Sequence, residues 1–426
     1  MVKFITFILS LLLSFTLATE SPDQWLEAPS ANPGKKPVVV TSGTIDKHIT
    51  GLRVNDPKKT FKGYTLLTPL VGRSDYSGMC SIDLVDMDGI MVYRWIVENS
   101  PSPSLGRLTE TGKVIFSNQN DSNSSNIAGL KELDAESNQT FIYRGILDHE
   151  FQIIDNDTFL IARDEPVQTP AGSPFPLKHM SSPRIILLTR DGRVIWEWKA
   201  EEHLDELVDL PGFYDIFAEF KSMAASGAGE GFIDSSGKLC YQGSDWAHNN
   251  TAMFIPPNPL EEKDPRFKSG NILFCFCGIN LIGILEYPSG KIVWAWGPGE
   301  LDNPHTPSMV DNGNILIFDN GARRKWSRVI EMDPATGKIV WEYHAEPKNS
   351  FFSDMLSSAQ RLPNGNTFIC EGLSERVFEI TPKGEIVWDY LSTYAKLTGG
   401  MGFYRAYKYS PEYAAPLLGS KEQEKK

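Results

Sequence analysis

Apolar residues in this chain fall in short runs, alternating or continuous, that are cut off by Asn-Gly, Asp-Gly and Pro-Asn-Gly turns, a pattern that predicts antiparallel β-strands. One strand pattern recurs. Gly290-Lys291-Ile292-Val293-Trp294-Ala295-Trp296 is answered by Gly337-Lys338-Ile339-Val340-Trp341-Glu342-Tyr343 and by Gly384-Glu385-Ile386-Val387-Trp388-Asp389-Tyr390, with 47 residues between successive Trp positions. Looser copies occur at Gly192 to Trp198, Gln139 to Tyr143 and Gly89 to Trp95, so that six units can be counted. A period of this length lies in the range of a propeller blade. The fold class expected is all-β, a six-bladed β-propeller over residues 63–413 with a small helical insertion. A closed ring has to hide its edge strand, so Thr65 to Val71 is expected to pair beside Phe403 to Tyr409.

The segments outside the repeat modify this picture. Residues 1–18 have a basic start, an apolar run and a small residue at the end, which reads as a secretory signal peptide and predicts a secreted or periplasmic protein, not an integral membrane protein after cleavage. Residues 19–62 read as an N-terminal linker and 414–426 as a charged, disordered tail. Between Glu201 and Trp246 the blade pattern is interrupted. Phe213, Ile216, Phe217, Phe220 and Met223 fall there at helical spacing, giving either a helix over a blade edge or a lid over the channel.

Five cysteines are too few, and wrongly spaced, for a disulfide framework or a paired-cysteine zinc site. Asn120, Asn123, Asn138, Asn156 and Asn249 open glycosylation sequons that matter only in a eukaryotic secretory route. A formal charge of −13 argues against a nucleic-acid partner and means that an anion site must gather positive charge locally.

Candidate chemistry appears when the blades are superposed on the turns at Gly112, Asp157, Gly313 and Gly365. Ser104, His149, His305 and Ser357 each stand eight residues before those positions. In the remaining central blade the matching residue by motif is His248. Equivalent positions of successive blades share a radius and height, so these side chains become a ring at one mouth of the channel if they face the axis. Each histidine could instead be a strand-entry residue satisfied by backbone. Three imidazoles also suit zinc or copper, but no carboxylate shares their register, so no metal or other cofactor is expected. The run Arg323-Arg324-Lys325 lies at the end of the strand that His305 precedes. One arginine could swing to the same mouth and, with imidazolium, hold a tetrahedral oxyanion. Trp246, Asn250, Ser357, Gln360 and Arg405 are the expected substrate-binding residues.

Asp245-Trp246-Ala247-His248, the insertion Asn258 to Phe267, Trp296 to Asp302 leading into His305, Phe318-Asp319-Asn320-Gly321 and Gln360 to Asn366 together resemble the arylsulfotransferase propeller family. The similarity spans essentially the whole mature chain. It implies transfer of a sulfuryl group from an aryl sulfate to a phenol through a sulfo-histidine, without a nucleotide donor, and the chain has no phosphate-cradling glycine loop. By motif the family's functional residues fall on His248, His305 and Arg323. Two departures stand out. Pro307 occupies the position where characterised bacterial members carry an asparagine. Their sulfated histidine belongs to a later blade, and here no histidine follows His344. Either His305 or His149 takes over as nucleophile, or the propeller binds an anionic or aromatic ligand, or a protein, at that mouth without turnover.

Overall fold

The structure, a computed structural model, describes residues 37–42, 50–70, 79–98, 103–118, 129–145, 147, 149–172, 179–210, 232–233, 239–240, 246–392 and 402–424. Six antiparallel sheets stand in a ring, the expected six-bladed propeller. From the axis outward, blade 1 joins Gly402–Tyr409 to Tyr64–Leu70, Met79–Val85 and Met91–Glu98. Blade 2 holds Pro103–Leu108, Val114–Asn118, Gly129–Leu133 and Gln139–Arg144. Blade 3 holds Phe151–Ile153, Thr158–Gln168, His179–Thr189 and Val194–Lys199, and blade 4 holds Asn249–Phe254, Ile272–Phe276, Leu281–Leu285 and Ile292–Trp296. Blade 5 is Pro304–Met309, Ile315–Asp319, Arg328–Asp333 and Lys338–Ala345. Blade 6 is Ser358–Arg361, Thr367–Glu371, Arg376–Ile380 and Ile386–Leu391. The ring closes where expected, with the C-terminal strand pairing Tyr64–Leu70 from Tyr409↔Tyr64 to Gly402↔Leu70.

Continuous apolar runs arise because each blade is buried on both faces. The core is divided into six clusters, one at each blade junction. Alternate residues of one strand serve opposite neighbours: Ile315 and Ile317 pack toward blade 4, and Leu316 and Phe318 toward blade 6.

The repeated Trp lies on the outermost strand and latches its blade to the next. Trp294 Nε1 donates to Pro334 O at 3.2 Å, Trp341 Nε1 to Pro382 O at 3.1 Å, and Trp388 Nε1 to Met87 O at 2.9 Å, across the closure of the ring. Blade 3 uses two indoles on blade 4, Trp196 to Pro288 O at 2.8 Å and Trp198 to Gly290 O at 2.9 Å. Blade 1 uses the Tyr93 hydroxyl on Ala135 O, and in blade 2 the Tyr143 ring lies against the Gly192 turn. Glycine is required at the turn before the Trp388 strand, where φ is positive and a neighbouring segment leaves no room. At Gly384, with φ +82°, a Cβ would come within 2.9 Å of Val40 Cβ.

Val40 belongs to a segment expected to be linker. Val38–Ser42 instead adds a fifth, parallel strand to blade 5, and Gly51–Asn55 adds a fifth, antiparallel strand to blade 6. Both cover outer edges that would otherwise present unpaired backbone groups. The expected tail is also ordered differently. A helix spans Pro411–Glu424 and buries Ala414 and Leu417 in the core between blades 1 and 2, because those two apolar residues, spaced three apart, share a face. The interruption after blade 3 begins with a short helix, Leu204–Val208, whose Leu204 and Leu207 are buried. The helical spacing from Phe213 to Met223 and the leader at 1–18 lie outside the described residues. Cys80, Cys275 and Cys370 are free thiols and, like Cys277, are buried. No helix among the described residues is long and apolar enough to cross a membrane.

The latch sets an expectation for stability. Trp388→Ala, which empties a fully buried site at the ring closure, should cost about 3–5 kcal/mol. Trp341→Phe, which keeps most of the ring volume but not the N–H donor, should cost about 1 kcal/mol. Denaturant melts of the two variants check the order and the size of the losses.

Candidate functional site

The innermost strands begin irregularly. Register shifts interrupt the pairing between Pro103 and Leu105, Asn249 and Thr251, His305 and Ser308, and Phe403 and Ala406, all at the same end of the ring. Non-glycine residues with positive φ gather there too: His248 at +48°, Thr306 at +48°, Leu356 at +62° and Ser357 at +82°. Bulges re-aim side chains, and backbone in this region costs energy that a merely structural strand start does not need.

The three in-register histidines do converge. The His149 and His248 rings meet edge to face with centroids 4.4 Å apart, and His149 also faces the Tyr404 ring at 5.8 Å. His305 is buried, and its surroundings fix its tautomer. Its Nδ1 lies 2.8 Å from Asn320 Oδ1 and 3.2 Å from Asn303 O. The Asn320 amide is oriented by its own N–H groups, which donate to Ser353 O at 2.7 Å and Leu356 O at 3.1 Å, so its oxygen must face the ring. Nδ1 therefore carries the proton and Nε2 keeps its lone pair. Burial pulls the His305 imidazole down to about 4, with His248 adding to the depression and the two hydrogen bonds opposing it. His149 is held well below the ordinary histidine range by burial first, then by the charges of His248, Arg405 and His305.

The cation of this group is Arg405. Blade 1 buries it completely, and its Nη2 donates to Asn250 O at 2.7 Å and to Thr251 Oγ1 at 3.2 Å. Arg323, the arginine assigned by motif, is exposed; only its backbone N–H is tied down, to Asp302 Oδ2 at 2.8 Å. Its neighbour Arg324 turns inward to Asp319 because that buried carboxylate, shared with Arg328, needs both cations.

The remaining expected residues are engaged elsewhere. Trp246 is buried in the core between blades 3 and 4, edge-on to Phe276. Gln360 joins blade 6 to blade 1, donating to Lys408 O at 3.0 Å and accepting from Lys408 N at 2.9 Å. Ser357 Oγ accepts from Gly372 N at 3.0 Å, and Asn250 Nδ2 donates to Pro304 O at 3.0 Å. Ser104 bonds Ser117 Oγ at 2.8 Å. His344 lies outside the ring, bound to Glu342 Oε1 at 3.0 Å. No three His, Cys, Asp or Glu side chains are grouped to hold a metal ion among the described residues. Sequence reasoning gave no role to Asn320 or Asn303. Asn320 was nonetheless visible in Phe318-Asp319-Asn320-Gly321, where a buried polar pair closing a strand signals a partner across the chain.

Residues 104–393 match the profile of a family described as arylsulfotransferase (ASST). Among solved structures, a protein of unknown function from Bacteroides caccae is similar at 12% identity and a TM-score of 0.47, over 81% of this chain and 98% of its own. BamB from Moraxella catarrhalis is similar at 13% identity and a TM-score of 0.32, over 76% and 77% of the two chains. Virginiamycin B lyase from Staphylococcus aureus is similar at 14% identity and a TM-score of 0.36, over 68% and 70%. No curated protein matches the sequence.

The buried histidines make stability depend on acid. An unfolded chain takes up the proton of His305 near 6.5, the folded one only near 4, so the unfolded state binds more protons between those values. The His305 share of stability should fall as the pH drops from 6.5 to 4 and then level off, a loss of about 3 kcal/mol. Melting temperatures of wild type and His305→Gln across this range should show a shallower slope in the variant.

Proposed function

The chain belongs to the arylsulfotransferase family, and on that premise we propose that it moves a sulfuryl group from an aryl sulfate to a phenol, with His305 as the sulfated nucleophile. One observation carries the choice of residue: Asn320 holds the Nδ1 proton of His305, which leaves a neutral ring with a directed lone pair on Nε2. A nucleophile must be unprotonated to react, and burial keeps this one so across the neutral range. In the first step Nε2 gives its pair to sulfur and the S–O bond to the arene breaks. The departing pair stays on the aryl oxygen, which takes a proton from His248, the half-exposed ring at the edge of His149. The sulfated ring is cationic and its Nδ1–H bond to Asn320 strengthens. In the second step the acceptor phenol returns a proton to His248, its oxygen attacks sulfur, and the S–N pair goes back to Nε2. The basic start and apolar run of residues 1–18 support a site of action outside the cytoplasm, where a donor other than an activated nucleotide suits the reaction.

Purified protein should release 4-nitrophenol from 4-nitrophenyl sulfate faster when a phenol is added, and His305→Ala should abolish release. Intact-protein mass spectrometry after quenching with donor alone should find one added sulfuryl group, lost on addition of phenol. The acid limb of kcat/KM should lie near pH 4, below the ordinary histidine value, because the nucleophile is the depressed group. Asn320→Ala, which frees the ring to turn, should lower kcat roughly 10²-fold. Folded protein with no release and no adduct would leave the ring as a ligand-binding site only.

A further inference from the structure

A second buried cluster lies against the histidines, and the proposed reaction does not use it. Glu150, the residue after His149, is fully buried and meets two guanidinium groups. Its Oε1 accepts from Arg107 Nη2 at 2.7 Å, and its Oε2 pairs with Arg405 Nη1. Arg107 is anchored on blade 2, where its Nε donates to Phe151 O at 2.9 Å, its Nη2 to the Tyr407 hydroxyl at 2.9 Å, and its plane stacks 4.3 Å from the Tyr407 centroid. Four innermost strands, from blades 1 to 4, thus meet through one carboxylate and two cations. Asp164, a further carboxylate at this end, accepts the backbone N–H of Asn249 at 3.2 Å.

The cluster is unbalanced. Two guanidinium groups stay charged at any physiological pH, and one carboxylate cancels only one of them. Counted by themselves, Arg107, Glu150 and Arg405 leave one positive charge next to His149, in a chain whose formal charge is −13. Two donors or acceptors are also left over. Arg405 Nε and His149 Nδ1 are buried and have no hydrogen-bond partner among the described residues. A buried polar atom without a partner costs free energy unless something fills the role, and two such atoms beside an excess cation point to an anion.

We propose that Arg405 supplies the charge of an axial oxyanion site, and that the Arg107–Glu150–Arg405 cluster, with one charge in excess, selects a monoanionic sulfate ester over a dianionic phosphate ester. This deepens the sulfuryl-transfer reading and rests on it for the identity of the ester. The selection is electrostatic. One excess charge neutralises a monoanion, whereas a dianion would keep one charge uncompensated in a dry site, and desolvation cost grows steeply with charge. Arg405 takes the place expected for Arg323 because it comes from the closing strand, whose register shift between Phe403 and Ala406 turns it toward the axis.

Benzenesulfonate tests the site independently of turnover, because it is a monoanion whose C–S bond is not open to transfer. Phenyl phosphate at pH 8 is the matched dianion. By titration calorimetry, wild type should bind benzenesulfonate at least about tenfold more tightly than phenyl phosphate. Arg405→Gln should weaken benzenesulfonate about tenfold or more, and Arg405→Lys should recover most of the loss. Glu150→Gln, which leaves two charges in excess, should narrow the preference and strengthen phenyl phosphate binding, an outcome that loss of a structural ion pair would not give. Thermal melts establish that each variant is folded, and the wild-type preference is readable whatever the variants do. Equal binding of the two anions by wild type, or benzenesulfonate binding unchanged in folded Arg405→Gln, would overturn the proposal. Benzenesulfonate binding with no release of 4-nitrophenol would overturn the transfer reading and leave the anion site standing.

Discussion

Every blade of this ring is held to the next by an aromatic side chain that reaches sideways from its outermost strand, and the geometry at the axis depends on that latch. A lone four-stranded sheet, apolar on both faces, has no stable existence in water, and it becomes a blade only when neighbours cover both sides. The latch fixes how they do so. An indole N–H that finds a particular carbonyl of the next turn sets the distance and tilt between two blades far more narrowly than apolar contact does, because a hydrogen bond has a direction and burial has none. Trp388 and Met87 matter most here, since their bond joins the last blade to the first and so determines whether the ring closes without strain. The added strands Val38–Ser42 and Gly51–Asn55 reinforce the same region, pairing with the two strands that carry Trp341 and Trp388.

With the blades fixed at their rims, the inner strand ends have little freedom, and irregular backbone can be kept there. His248 and Ser357 hold left-handed conformations, and four inner strands slip register at the same end. Such backbone would relax in an isolated hairpin. Within the ring it is over-determined by the six surrounding core clusters, and the result is a set of side chains aimed at the axis from different directions.

The ring and its closure were legible in the sequence because the latch is itself the repeat: Gly, an aliphatic pair and Trp must recur wherever one blade meets the next. The need to hide an edge strand then placed Thr65 to Val71 beside Phe403 to Tyr409, and the structure pairs Tyr64–Leu70 with Gly402–Tyr409. The N-terminal strands were not legible, since five-residue segments that complete another blade's edge carry no period of their own. The site was partly legible. Repeat register found His149, His248 and His305, because a ring converts equal positions into neighbours. Sequence reasoning gave the catalytic charge to Arg323 by motif and placed Arg405, the buried cation beside the histidines, only among the substrate-binding residues; Arg324, next to Arg323, turns inward to the buried Asp319. Trp246 misled for a related reason. An aromatic beside a candidate histidine can face either the axis or the blade interface, and here it packs into the interface core against Phe276.

The asymmetry of the ring also bears on which histidine can do chemistry. Blades 3, 4 and 5 bring imidazoles to the mouth and blade 1 a guanidinium, whereas the serines in the same register of blades 2 and 6 are buried and bonded within their own blades. The blade 6 hydroxyl, Ser357, stands where no histidine is left in the chain, and its Oγ already accepts the Gly372 N–H. That blade therefore offers no free nucleophile. Of the imidazoles, His149 lies near the charge of Arg405, and its Nδ1 has no hydrogen-bond partner among the described residues. His305 has both Nδ1 contacts and an Asn320 amide locked by two backbone carbonyls behind it. A transfer that must deliver sulfur to one atom and take it away along the same line needs a nucleophile that does not rotate between the two steps. The Asn320-bound imidazole meets that condition.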